Sequence, residues 1–273
     1  MRIKEVFLRF WRSEDEKISV IRDVFVALLA VFIVLLLLWT YTGQWFAAPM
    51  VAIESGSMEH PNSPFGRLGT IDAGDMVLVQ KIYTRDDIVV HGGKFGGAEK
   101  IQDPNYFFYG DWGDVIIYRP LGRNDTSQII HRAMCWVDVK YYDGVKTYTI
   151  EEYGIYNQTS LTIPELGLYN DEPNWDHSGY LTMGDHNGII DQETEICPQP
   201  IKLSWISGKA RLEIPWIGTI NLFFEDILHG KNTVGNVHPD CLTCLAIVIA
   251  ILISIPIVLD INDYLKQKKE RRL

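Results

Sequence analysis

The chain carries little positive charge. Its 25 Lys and Arg face 35 Asp and Glu, giving a net charge of −10 over 273 residues and a pI near 5.2. A nucleic-acid partner calls for a basic face, so that class is excluded. Cysteine is scarce: the four residues include a single Cys-x-x-Cys, Cys241 and Cys244, with no second pair to complete a zinc site. Cys135 and Cys197 could pair in an oxidising compartment. The seven histidines are His60, His91, His131, His177, His186, His229 and His238, and no two stand four residues apart. That spacing leaves out the helical zinc signature, and no metal or cofactor is expected.

Charge is also missing from two long stretches, Val24 to Phe46 and Cys241 to Leu259, although mean hydropathy over the whole chain is close to zero. At about 1.5 Å per residue the second stretch spans roughly 28 Å, near the ~30 Å hydrocarbon core of a bilayer. Both are expected to be transmembrane helices, with the lipid bilayer as a partner. Roughly twenty residues rich in charge precede the apolar core Val24–Trp39, which favours a retained anchor over a cleaved signal peptide. Arg2, Lys4, Arg9, Arg12, Lys17 and Arg22 precede the first stretch, and Lys266, Lys268, Lys269, Arg271 and Arg272 follow the second. The positive-inside rule then puts both termini in the cytoplasm and the middle of a two-pass protein outside the cell membrane. Trp39, Tyr41, Trp45 and Phe46 would form the aromatic belt at the outer interface. Taking the eleven flanking basic residues from 25, and the eight flanking acids from 35, leaves 14 and 27, so the external part carries about −13.

The expected organisation is a cytoplasmic tail (1–23), a transmembrane helix (24–46), an extracytoplasmic β-domain (47–222), a linker (223–240), a second transmembrane helix (241–259) and a basic cytoplasmic tail (260–273). The β reading comes from turns. Gly74-Asp75 precedes Met76–Val79, Gly113-Asp114 precedes Val115–Tyr118, and Gly184-Asp185 follows Tyr180–Met183, each joining a tight turn to a short β-prone run. Met50–Ile53 reads as a further short strand. Val137–Tyr142, Asp143-Gly144 and Val145–Ile150 form the clearest hairpin, because Asp-Gly tolerates positive φ at both central positions. Thr84–Trp112 reads as a surface insertion, Glu151–Ser178 as a polar stretch broken by Pro164 and Pro173, and Lys209–Leu222 as strand material around Pro215-Trp216. Phe223–Asp240 reads as a linker with room for a short interfacial helix. Asn124-Asp125-Thr126 and Asn157-Gln158-Thr159 are glycosylation sequons in expected loops.

Three residues supply the roles of acyl transfer. Ser57 lies in Ser55-Gly56-Ser57-Met58-Glu59-His60, just beyond the first apolar stretch. His131 follows Ile129-Ile130 in an apolar run, where a partly buried neutral imidazole could take a proton from a serine hydroxyl. Asp185 and Asp191 flank the turn Gly184-Asp185-His186-Asn187-Gly188. A carboxylate there could orient the imidazole, and the residues alone leave both acids open.

Ser55-Gly56-Ser57-Met58-Glu59 resembles the nucleophile box of type I signal peptidases. Gly113–Pro120 followed by Ile129-Ile130-His131-Arg132 resembles their base-bearing region, with the histidine of the archaeal and endoplasmic-reticulum branch where bacterial members carry lysine. Leu181–Asn187 through Asp191 is similar to that branch's acidic box, and Lys209–Asn221 to its closing hairpin. The motifs fall in family order from about Ile53 to Asn221. The resemblance implies a mainly β, signal-peptidase-like domain between two transmembrane helices. It makes Ser57 the nucleophile, His131 the general base, Asp191 the third member and Asp185 a required or supporting acid. The Ser57 amide, with the Ser55 hydroxyl or amide, would stabilise the oxyanion. The implied substrate is a translocated preprotein cut after a small residue at the end of its signal peptide, with the protein translocation machinery as a further partner. His60 stands where the family usually has proline, and His186 replaces an asparagine; His60 is the reserve candidate for the base. Two other readings are a related peptidase acting on fewer surface precursors and an inactive tethered β-domain that binds exported proteins.

Overall fold

In the computed structural model the described residues are 10–12, 15–45, 47–92 and 106–270, with side chains to 268. Arg2, Lys4 and Arg9 of the N-terminal tail lie outside the described residues, as do Phe46 of the aromatic belt, 93–105 of the expected insertion, and Arg271 and Arg272. The chain divides into two units, Met1–Pro49 and Met50–Leu273.

The first unit holds helix α1 (Glu16–Thr42). Asp15 caps its start by accepting a hydrogen bond from the Lys17 amide at 2.9 Å. Gly43, at φ 69°, ends it in the left-handed conformation before Phe46 is reached. Its hydrophobic side chains from Val24 to Leu37 face outward, as a helix that meets lipid requires. With the C-terminal helix it is one of two helices long and apolar enough to cross a membrane.

The second unit is built on antiparallel strands β1 (Met50–Ala52), β2 (Met76–Gln80), β3 (Phe107–Phe108), β4 (Asp111–Trp112), β5 (Val115–Tyr118), β6 (Ile129–Tyr142), β7 (Val145–Ile150), β8 (Ile155–Gln158), β9 (Leu161–Ile163), β10 (Leu168–Asp171), β11 (Gly179–Met183) and β12 (Ile206–Ile214), followed by helices α2 (Gly218–His229) and α3 (Pro239–Glu270). The main sheet runs β1-β2-β12-β5-β6-β7-β8, with β11 also paired to β6. The strand β6 joins the two halves: Ile129–Arg132 pair with β5, Arg132–Val137 with β11 and Asp138–Tyr142 with β7. At the β6–β7 turn Asp143 has φ 50° and Gly144 φ 83°, the paired positive angles that match strand twist.

One core lies under the start of the sheet, with Ile53, Met58, Val77, Val79, Ile117 and Ala210. A second lies under β6, β7 and β11, with Met134, Val137, Tyr148, Ile150, Trp175 and Leu181. Cys135 and Cys197 are buried in different clusters and are free thiols, so the pairing that the sequence left open is not formed.

Four expectations change. The stretch Glu151–Ser178 contains β8, β9 and β10, because Leu161, Ile163, Leu166 and Leu168 all bury apolar side chains. Strand material after Lys209 stops at Ile214, and the chain turns into α2, which spans the expected boundary at 222 and replaces the closing hairpin and part of the linker. The helix α3 extends beyond the charge-free stretch at both ends, with Pro256 inside it. Asn157 lies within β8 at φ 50° and not in a loop, whereas Asn124 is exposed in the turn before β6.

Candidate active site

Strand β1 delivers the chain to Ser57. Just beyond it, the Ile53 amide donates to the Asp75 carbonyl at 2.9 Å and its carbonyl accepts from the Gly74 amide at 2.9 Å, fixing the strand exit. A turn follows, closed by the Glu59 amide on the Gly56 carbonyl at 3.1 Å, and Met58 anchors it in the core at 1 % exposure. Ser57 is thus held on the rim while its neighbour is buried.

His131 projects from the paired part of β6, opposite Ile116 of β5. Its Nε2 lies 2.9 Å from Ser57 Oγ, and its Nδ1 lies 2.7 and 2.8 Å from the two oxygens of Asp191. Asp191 starts a one-turn 3-10 segment, Asp191–Glu193, and is completely buried. Its Oδ2 also accepts from the hydroxyls of Tyr118 and Thr182, each at 2.7 Å. An acceptor so surrounded by donors fixes the histidine as the Nδ1–H tautomer and leaves Nε2 free to accept the serine proton. The Ser55 hydroxyl stands 3.4 Å from that of Ser57.

Asp185 is elsewhere. The buried Arg132 guanidinium grips it through Nε at 2.8 Å and Nη2 at 2.5 Å, and His60 Nε2 lies 2.9 Å from its Oδ2. Burial pushes its carboxyl up, but the Arg132 charge and the bonds from His60 and Arg132 outweigh this and hold it below the usual range. The same bond to Asp185 raises the His60 imidazole above its ordinary value, against desolvation. The reserve base is therefore partnered with Asp185. Arg132 also donates to the carbonyls of Phe108, Asp111, Trp112 and Gly113, binding β3–β4 to the turn that carries Asp185. His186 contributes its backbone: its amide donates to the Ser57 carbonyl at 3.0 Å while its side chain is exposed.

Gly184 makes the convergence possible. A Cβ there would sit 2.6 Å from the Ser57 carbonyl oxygen and 2.9 Å from His131 Nε2, so any side chain would push nucleophile and base apart. Ser57 and His131 open onto a cleft of about 710 Å³, walled by Val51–Ser55, Gln128–Ile130 and, from α2, Asn221 and Glu225. Among the described residues no cluster of three His, Cys, Asp or Glu is placed to hold a metal ion.

Sequence reasoning gave no role to Tyr118, Thr182, Arg132 or Gly184. Tyr118 and Thr182 are strand residues whose only signal is their inward register beside an acidic turn. Arg132 offered a stronger one, since a charge inside the run Ile129–Cys135 needs a buried partner. No protein-family model matches the chain, and no curated protein matches it.

Proposed function

We propose that the chain is a membrane-bound serine endopeptidase of the type I signal peptidase kind, removing signal peptides from translocated preproteins. One observation carries the reading: Ser57 Oγ, His131 Nε2, His131 Nδ1 and Asp191 form an unbroken hydrogen-bonded array at 2.9 and 2.7 Å. A serine hydroxyl is a weak nucleophile until a base takes its proton, and the imidazolium so formed needs a carboxylate behind it.

In the proposed cycle His131 Nε2 accepts the Ser57 proton as Oγ attacks the scissile carbonyl. Asp191 stabilises the imidazolium, which then protonates the leaving amine. Water, deprotonated by the same nitrogen, then attacks the acyl carbon, and the bond to Ser57 Oγ breaks as Oγ takes the proton back from His131. The Ser55 hydroxyl, close to Ser57 Oγ, is suited to the developing oxyanion, where one donor is worth about 10²–10³ in rate. The outer edge of β1, lining the cleft over Val51–Ser55, offers an extended peptide a strand to pair with. Two helices fit to span a membrane would hold this domain where signal peptides emerge. Both termini are then cytoplasmic and the cleft is on the opposite face.

The test is cleavage of a preprotein peptide by the full chain in detergent. Ser57→Ala and His131→Ala should each lower kcat by roughly 10⁴-fold or more. Rates equal to the parent in both variants would overturn the mechanism, and a parent that leaves the peptide uncut would favour a tethered binding domain.

A further inference from the structure

The helix α2 leaves most of its apolar surface uncovered. Leu222 and Thr219 face inward, whereas Ile220, Phe223, Phe224, Ile227 and Leu228 are 42, 53, 56, 63 and 73 % exposed. Their spacing of three, four, seven and eight residues places all five on one side of the helix. The polar residues are engaged elsewhere. Asp226 accepts from the amides of Thr233 and Val234, closing the turn after the helix, and Glu225 and Asn221 line the cleft.

What covers this face follows from its place beside α3. Leu222 packs in one cluster with Val237 and Cys241. Cys241 is the first residue of the charge-free stretch of α3, whose side chains from Ile247 to Leu259 point outward. If α3 spans a membrane, Cys241 marks the depth at which hydrocarbon begins, and α2 is fastened at that depth. Its apolar face is then continuous with the lipid-facing surface of α3. We infer that α2 is an interfacial helix, lying in the bilayer surface at the Pro239 end of α3 with Ile220, Phe223, Phe224, Ile227 and Leu228 among the acyl chains. The bilayer thereby supports one wall of the cleft, because the flank of the same helix presents Asn221 and Glu225 to it. No Lys or Arg occurs between Gly218 and His229, so the hold is apolar and owes nothing to anionic headgroups.

The inference rests on α3 spanning the membrane and not on peptidase activity. A benzophenone amino acid placed singly at each position from Ile220 to His229 of the full chain, reconstituted in phosphatidylcholine vesicles, tests it by photocrosslinking. Lipid adducts are expected at 220, 223, 224, 227 and 228, severalfold above those at 221, 225 and 229, and unchanged by anionic lipid or salt. Equal yields at all positions would overturn it, as would adducts to a second copy of the chain or a yield that follows lipid charge. Outward-pointing positions tolerate the label, and circular dichroism of each labelled protein verifies the fold. Loss of cleavage by Ser57→Ala, or its retention, has no bearing on the crosslinking pattern.

Discussion

Asp191 and Asp185 sit six positions apart and do different work because their surroundings differ. Asp191 meets one imidazole and two hydroxyls, all aimed at its two oxygens. Asp185 meets a guanidinium and the His60 imidazole, and its two oxygens are taken up by that pairing. Asp191→Asn should therefore keep the fold but offer His131 a neutral amide that can donate in place of a carboxylate that only accepts, lowering kcat by about 10³–10⁴ with KM little changed. Asp185→Asn leaves Arg132 buried with its partner charge gone, and should lower the thermal midpoint together with activity. Full-chain kinetics beside thermal unfolding separate the two. A stable, inactive Asp185→Asn with an active Asp191→Asn would exchange the roles of the two acids.

Between elements, a buried polar tie forms at Asp114, which follows Gly113 in the turn before β5. Its Oδ1 accepts from Arg211 at 2.9 Å, and its Oδ2 from Lys209 at 3.0 Å and from the Val89 amide at 3.0 Å. One buried carboxylate thus joins β12 to β5 and to the segment ending in Val90. Lys209 also donates to the Asp87 carbonyl. Removing the acid strands a buried ammonium, so Asp114→Ala should cost about 3–5 kcal/mol. Guanidinium unfolding of the full chain in micelles should register this as an earlier midpoint with unchanged slope; an unmoved midpoint would count against it. The turn itself was legible, because Gly-Asp chemistry acts over two residues, as it does at Asp143-Gly144. The partners of Asp114 were not, since Lys209 and Arg211 arrive from a strand almost a hundred residues later. The same limit hid β8 to β10, whose three- or four-residue runs are strands only because neighbours pair with them. It also hid where the helix after Pro215 begins: room for a short helix was legible from Phe223, but α2 starts at Gly218, after the Trp216 amide donates to Asp75 at 2.9 Å and turns the chain. For the site, residue types and order pointed to Ser57 and His131, while the choice between two acids needed three-dimensional distances.

Across the molecule, two carboxyls join the loop before β2 to the end of β12 and make stability depend on pH. Asp75 is buried, and desolvation raises it to about 7 in spite of bonds from the Trp216 and Asp72 amides. Glu213 is raised to about 8, again chiefly by desolvation and then by the Asp75 charge. Its Oε2 accepts from the Gly69 amide at 2.9 Å, and its buried Oε1 has no hydrogen-bond partner. A neutral carboxyl suits that position and a carboxylate does not. In the unfolded chain both groups titrate near their usual values of about 4. From about pH 4 upward the unfolded chain has therefore released protons that the folded chain still holds, and stability falls with rising pH. The contribution is fully present below about pH 4 and is lost as pH rises through the folded values of about 7 and 8. Glu213→Gln retains the shape and the acceptor for Gly69 without a charge to bury. Thermal unfolding of the full chain in micelles between pH 5 and 9 should show the parent losing midpoint steadily from pH 5 to about 8 and levelling off beyond, with a smaller loss in the variant. The two should differ most at pH 9 and converge toward pH 5. A parent and variant whose midpoints run parallel over that range would place the Glu213 proton elsewhere.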